Sequence, residues 1–227
     1  MPTEKDLKEM LKNAVHFGHA TSKWNPKMKS FIYGDKQGIH VFDLNKTAIA
    51  LEEAVKFLNA SASQGKTIMF VSTKQQATEL VKAAAKGCNC PYVTQKWVPG
   101  LFTNFKTIKQ RIKYLKQLKD EKASGEFSKY TKKEAVKLEK IINKLETSLG
   151  GVQEIKKTPD VIIVLDVHRD QIAVKEAKRT GVKIVGITDS NANPDNIDYP
   201  IPANDDSIKS ITYLVDKFVN AIKSPSK

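Results

Sequence analysis

Apolar positions along the chain change period several times, and each change marks a different kind of element. From Glu4 to Asn13, Leu7, Met10 and Leu11 recur at helical spacing behind Thr3, a helix-capping residue type, so the chain opens with a short helix. The stretch HFGHATSKWNPKM is rich in turn formers, and FIYGDKQGIHVF reads as a hairpin, two β-prone runs joined across Gly-Asp-Lys-Gln-Gly. Asp43 or Asn45 then caps a helix whose stripe is Ile49, Leu51, Ala54, Val55, Leu58 and Ala62, up to Gly65. Beyond it the period shifts. TIMFVS (67–72) is a continuous apolar run of strand length, and a helical pattern from Lys74 to Lys86 ends at Gly87. Tyr92-Val93 starts another strand. The alternation resumes with PDVIIVLD, a helix from about Asp170 to Thr180 stopped by Gly181, the strand KIVGIT, and a helix from Ser207 to Lys223 with Ile208, Ile211, Leu214, Val215, Phe218 and Ile222 inward. Strands apolar on both faces that alternate with helices predict an α/β fold with a doubly wound parallel sheet.

Between Phe105 and Leu149 the pattern is of a third kind. Phe105, Ile108, Ile112, Leu115 and Leu118 form one seam, and Val136, Leu138, Ile142, Leu145 and Leu149 form a second, at three- and four-residue steps. Ala123-Ser124-Gly125-Glu126 is a turn between them, Thr131 with Glu134 is a capping box, and Gly150-Gly151 ends the second helix. An inserted antiparallel coiled-coil hairpin at 105–149 is expected, dividing a globular domain made of 1–104 and 150–227. So narrow a seam stabilises such a hairpin mainly through its root or its partner.

Charge sharpens this. The hairpin holds 13 Lys/Arg against 6 Asp/Glu, +7 of the chain's formal +13, on an element that protrudes. A protruding basic element suits a polyanion, since every neutralised phosphate releases condensed counterions. With 40% hydrophobic residues in 227, the chain buries a real core and is not a basic tail. No apolar run approaches the roughly 20 residues of a membrane span, and the N-terminus MPTEKDLKEM lacks a signal-like stretch, so a cytosolic protein without membrane contact is expected. Cys88 and Cys90 are too close for an ordinary disulfide and too few for a typical zinc site, and read as reduced thiols.

Candidate chemistry divides into two classes. A nucleotide- or sugar-phosphate-binding enzyme would use the carboxyl ends of the strands, where Asp166, Asp189, Asp205 and Asp206 would have to gather with His19 to hold a divalent ion; spacing alone does not bring them together, and turn and cap roles are the favoured reading for these residues. The diagnostic loops are absent. Ser72-Thr73-Lys74-Gln75 follows the first strand without glycine, and Gly65-Lys66-Thr67 precedes a strand rather than following one, so neither site cradles a phosphate. No serine, cysteine or histidine stands in a nucleophile motif, and no catalytic residue, cofactor, resident metal or small-molecule substrate is expected. The second class is RNA binding. Lys23-Trp24-Asn25-Pro26-Lys27-Met28-Lys29 interleaves lysines with an aromatic, as does Lys96-Trp97 followed by Thr103 and Asn104; such surfaces stack an unpaired base while ammonium groups meet phosphates, although each tryptophan also suits a core. The candidate contact set is Lys23, Trp24, Asn25, Lys27, Lys29, Lys74, Lys96, Trp97, Thr103 and Asn104, with Lys106, Lys109, Arg111 and Lys113 from the hairpin.

Six motifs, HFGHATSKWNPKM, TIMFVSTKQQA, KWVPGLFTNFKTI, the LGG after the hairpin, PDVIIVLD and IPANDDSIKSI, resemble in order and spacing the family of the second protein of the bacterial small ribosomal subunit, from about Leu7 to Phe218. Departures from the family pattern are Ser72 and Pro99, where glycine is common, and Lys96, where arginine is usual. The resemblance implies a flavodoxin-like domain with a helical hairpin, a structural role in translation, binding to small-subunit ribosomal RNA on the solvent side near the head and body, and recruitment of the large first protein of the subunit.

Overall fold

The computed structural model describes residues 3–224. Its elements in chain order are α1 (Glu4–Lys12), β1 (Phe17–Ala20), β2 (Ile32–Lys36), β3 (Ile39–Phe42), α2 (Leu44–Ser63), β4 (Ile68–Val71), α3 (Thr78–Gly87), β5 (Tyr92–Val93), α4 (Phe105–Ala123), α5 (Lys132–Leu149), β6 (Val161–Val164), α6 (Gln171–Thr180), β7 (Lys183–Thr188), β8 (Tyr199–Pro202) and α7 (Ile208–Lys223). Strands β5-β4-β6-β7-β8 form one parallel sheet, and β1-β3-β2 a small antiparallel one. In the parallel sheet the second strand lies outside the first and the rest follow in sequence, the order of flavodoxin-like folds, with its switch point between β4 and β6.

Both faces of that sheet are covered. Ile68, Phe70, Val161, Ile163, Val185 and Ile187 pack on one side beneath α2, α3 and α7; Met69, Val71, Ile162, Val164 and Ile184 pack on the other against α6 and the root of the α4–α5 pair. The period of two along each strand thus supplies two cores, which is why the runs read as uniformly apolar. Expected start signals are present: Thr3 and Asp6 form a capping box, Asp43 caps α2 through the Asn45 amide, and Gly181 ends α6 at a left-handed φ of 74°.

Two strands lie outside the sequence reading, and two expectations need correction. The turn-rich stretch after α1 contains a strand, β1, whose partner is β3. A fifth parallel strand, β8, runs through Pro200 and Pro202; proline removes an amide from the ladder, and β8 tolerates it because it is an edge strand. Ile49, Val136 and Ile208, placed inward by periodicity, are 48%, 50% and 60% exposed; in α2 the small residues Thr47, Ala48, Ala54 and Ser61 face in with Leu51 and Leu58 instead. Neither Asp205 nor Asp206 caps α7: the Asn204 side chain accepts the Asp206 and Ser207 amides, which frees both aspartates for other partners.

Candidate nucleic-acid interface

The basic segment after β1 is fastened by its apolar and capping residues, which leaves most of its lysines outward. Met28 is fully buried in the 3-10 helix Pro26–Phe31, and the Asn25 side chain accepts the Lys27 amide at 3.1 Å. The Asn25 amide donates to the Ser190 carbonyl at 2.7 Å, tying the segment to the loop after β7. Asn25 is therefore a cap. Lys23 and Lys29 are exposed, and Lys27 is paired with Asp195. Trp24 is half-buried, its ring 5.2 Å from that of His40.

The second tryptophan departs from the stacking expectation. Trp97 is 5% exposed and packs edge-on against Phe102 at 4.9 Å, so no face of its ring is offered to a base. Its indole N–H donates to Glu176 of α6 at 3.1 Å, and the same carboxylate accepts the amides of Gly100 (2.8 Å), Phe102 (3.1 Å) and Thr103 (3.3 Å) and the Thr103 hydroxyl (3.2 Å). Gly100 makes the wrap possible at φ +91°, where a side chain is strained. Burial works to raise the Glu176 pKa, but the donated hydrogen bonds outweigh it and hold the group below the ordinary glutamate value. The Thr103 hydroxyl is thus engaged by Glu176, and Asn104 accepts the Thr107 hydroxyl at 2.9 Å, while both residues stay exposed, as does Lys96. Glu176 is the residue that sequence reasoning missed. Its one signal was a charged side chain beside Ala173, Val174 and Ala177 on the inward stripe of α6.

The hairpin is divided by its packing. Ile108, Ile112 and Leu149 belong to the core beneath the sheet, whereas Leu115, Leu118 and Ile142 form a separate cluster with Phe127, Leu138 and Leu145. Thr131 and Glu134 form the expected capping box. Across the pair Lys119 meets Glu146 and Lys122 meets Glu139 (2.8 Å), while Lys116 meets Glu154 of the returning chain at 2.8 Å. Lys106, Lys109, Arg111 and Lys113 are exposed with no acidic partner among the described residues.

Lys74, expected among the RNA contacts, is elsewhere. It follows β4 at the switch point, is 9% exposed, and its Nζ lies 2.7 Å from Asp205 Oδ1, 2.7 Å from Asp206 Oδ1 and 3.4 Å from Asp166 Oδ2. No phosphate can reach that ammonium without displacing carboxylates. Burial works to lower the Lys74 pKa, and the aspartates more than reverse it. Beside it His19 Nδ1 lies 3.0 Å from Asp189 Oδ1 and Nε2 3.4 Å from Asp206 Oδ2. So the rim carboxylates do converge. Donor atoms of His19, Asp205 and Asp206 come within 4.8 Å of one another, a set that could hold a cation, but the Lys74 ammonium already lies against both aspartates. Cys88 and Cys90 are free, and burial pushes both thiols up, Cys90 to about 12, which leaves them protonated and inert.

The His19 pair predicts a pH dependence. The Asp189 carboxylate beside Nδ1 raises His19 from 6.5 to about 9, so the pair's contribution to stability is complete below pH 6.5 and is lost as pH rises through about 9. Melting midpoints of the wild type and His19→Asn, taken from pH 6 to 9.5 with a chelator present, should converge as pH rises. Parallel curves would show that the pair contributes nothing.

The loops after β4, β6 and β7 thus lack glycine, an internal ion cluster fills the mouth of the sheet, and the unpaired lysines lie outside it. The ribosomal protein S2 family model matches residues 10–224. The chain belongs to that family. The small ribosomal subunit protein uS2 of Dehalococcoides mccartyi strain BAV1 is 44% identical over 222 residues, covering 98% of this chain and 90% of the relative. That of Francisella philomiragia is 44% identical over 216 residues, covering 95% and 90%. Within the family frame, Ser72 is fully buried at the end of β4 and Pro99 is exposed in the turn before Gly100, so these two departures sit where one is covered and the other unconstrained.

Proposed function

We propose that this chain is a structural, non-catalytic protein of the small ribosomal subunit that binds ribosomal RNA and supports translation in the cytoplasm. Family membership across residues 10–224 carries the reading, and the outward lysines of the 23–29 segment and of α4 support it on physical grounds. No helix among the described residues is long and apolar enough to cross a membrane. The contacts we assign are Lys23, Trp24, Lys29 and Lys96 on the globular body and Lys106, Lys109, Arg111 and Lys113 on the hairpin; Lys27 joins them only by releasing Asp195. Neighbouring small-subunit proteins, the large first protein among them, complete the set of partners. The rival, an enzyme for nucleotides or sugar phosphates, is disfavoured because a phosphate at the switch point would meet Asp166, Asp205 and Asp206 around a lysine already paired.

The globular body (1–104 and 150–227) and the hairpin (105–149) divide the work, with Ile108, Ile112 and Leu149 rooting the hairpin in the body. The test measures affinity for purified small-subunit ribosomal RNA against salt. With six or more phosphate contacts, affinity should fall about 10³-fold or more between 50 and 200 mM salt. Changing Lys106, Lys109, Arg111 and Lys113 together to glutamine should leave a cooperatively folding protein with weaker binding and a shallower salt slope. Salt-independent affinity would defeat the reading.

A further inference from the structure

The α4 lysines are not the only free cations of the hairpin. On α5, Lys133, Lys137, Lys140 and Lys144 stand at i, i+4, i+7 and i+11, a spacing that places all four on one face over about 16 Å of helix. Leu138, Ile142, Leu145 and Leu149 pack inward, so the lysine face is turned away from the seam, and all four lysines are exposed. None has an ion-pair or hydrogen-bond partner among the described residues. The three glutamates of α5 are all engaged elsewhere: Glu134 closes the capping box, Glu139 meets Lys122 and Glu146 meets Lys119. Like charges at i, i+4 weaken a helix. Lys133 with Lys137, and Lys140 with Lys144, therefore oppose the folding of the element that carries them, with no compensating partner among the described residues. Val136 and Ile141, 50% and 38% exposed, border the stripe on either side.

A local rule broken twice on one face, with every nearby carboxylate directed away, marks a surface whose counter-charge comes from outside the molecule. We infer that the outer face of α5 is a second RNA-binding surface that docks along the phosphate backbone of a duplex. Lysine is a point charge that contacts phosphate without reading base edges, and the stripe holds no aromatic on which an unpaired base would stack. The contact is thus sequence-independent and set by the path of the backbone. It rests on the ribosomal RNA reading above and adds to it a face that the α4 residues do not share.

The test uses the full chain and purified small-subunit ribosomal RNA. Lys133, Lys137, Lys140 and Lys144 are changed together to glutamine; in a control, four lysines that have carboxylate partners, Lys8, Lys56, Lys82 and Lys183, are changed likewise, so that both variants lose the same charge. The stripe variant should melt no lower than the wild type, since repulsion is relieved. Its affinity should fall by about tenfold or more, and its slope of log affinity against log salt should be shallower by about 3.6, near 0.9 for each of the four lost contacts. The control should stay within about twofold of wild type. Wild-type affinity and slope in the stripe variant, or an equal loss in the control, would overturn the inference while leaving the RNA reading intact. Failure of the wild type itself to bind this RNA would overturn both. A stripe variant that keeps RNA affinity but loses binding to poly-glutamate would reassign the face to an acidic protein.

Discussion

Changing Glu176 to alanine should destabilise the fold by about 3–5 kcal/mol, because it strips a buried charge from donors that have no other partner. Five donors converge on this carboxylate from the 97–103 turn, and without it the buried Trp97 indole and Phe102 amide and the partly buried amides of Gly100 and Thr103 lose their partner. Glutamine should be nearly as damaging, since its amide group would point a donor at donors. Urea denaturation at pH 7 measures the loss directly. The pH dependence carries a sign: the Glu176 pKa is depressed in the folded state, so its contribution is present above the ordinary value of 4.5 and is lost as pH falls below it. The wild type and the glutamine variant should therefore approach one another in stability toward pH 3. Equal midpoints at pH 7 would show that the turn is held by packing alone. Because that turn leads into α4, RNA binding should weaken in the same variants beyond what their stability explains.

Replacing Lys74 with methionine should cost a similar amount, about 3–5 kcal/mol at pH 7, since removing one partner from a buried ionic cluster leaves the others uncompensated. Methionine keeps most of the volume, so the loss is electrostatic rather than a cavity. Asp205 is already pushed up, first by burial and then by Asp189 and Asp166, and without the ammonium it rises further. A carboxyl whose folded pKa is raised destabilises as pH climbs through the interval between its unfolded and folded values. The variant should therefore recover stability on going from pH 7.5 to pH 5. A variant as stable as the wild type at pH 7.5 would mean that solvent, not Lys74, neutralises the aspartates.

The strands that form the middle of the sheet were legible because burial on both faces leaves an unmistakable apolar run, as in TIMFVS, PDVIIVLD and KIVGIT. The two hairpin helices were legible for the opposite reason, a seam with polar flanks and the Thr131–Glu134 cap written within a few residues. β8 was hidden by its prolines, which are permitted only because no strand lies beyond it. The site was harder. Lys74 and Asp205 are separated by 131 positions, and Glu176 and Trp97 by 79, so no local pattern reveals that these charges meet. Composition marked the lysines as basic; only the fold separates those with a carboxylate in reach, such as Lys27, Lys74 and Lys122, from those without, such as Lys23, Lys109 and Lys137.

The insertion also bears on how the body assembles. β4 must pair with β6, joining Ile68 to Val161, and the whole hairpin lies in the connection between them. A long connection raises the entropic cost of closure only logarithmically, by about 0.6 kcal/mol per doubling. Two helices that zip together locally bring Phe105 and Leu149 side by side and about halve the effective loop, so even that small penalty is recovered before the sheet closes. The length of the outer hairpin is thus nearly neutral for folding, and its reach is free to be matched to the dimensions of whatever it must span.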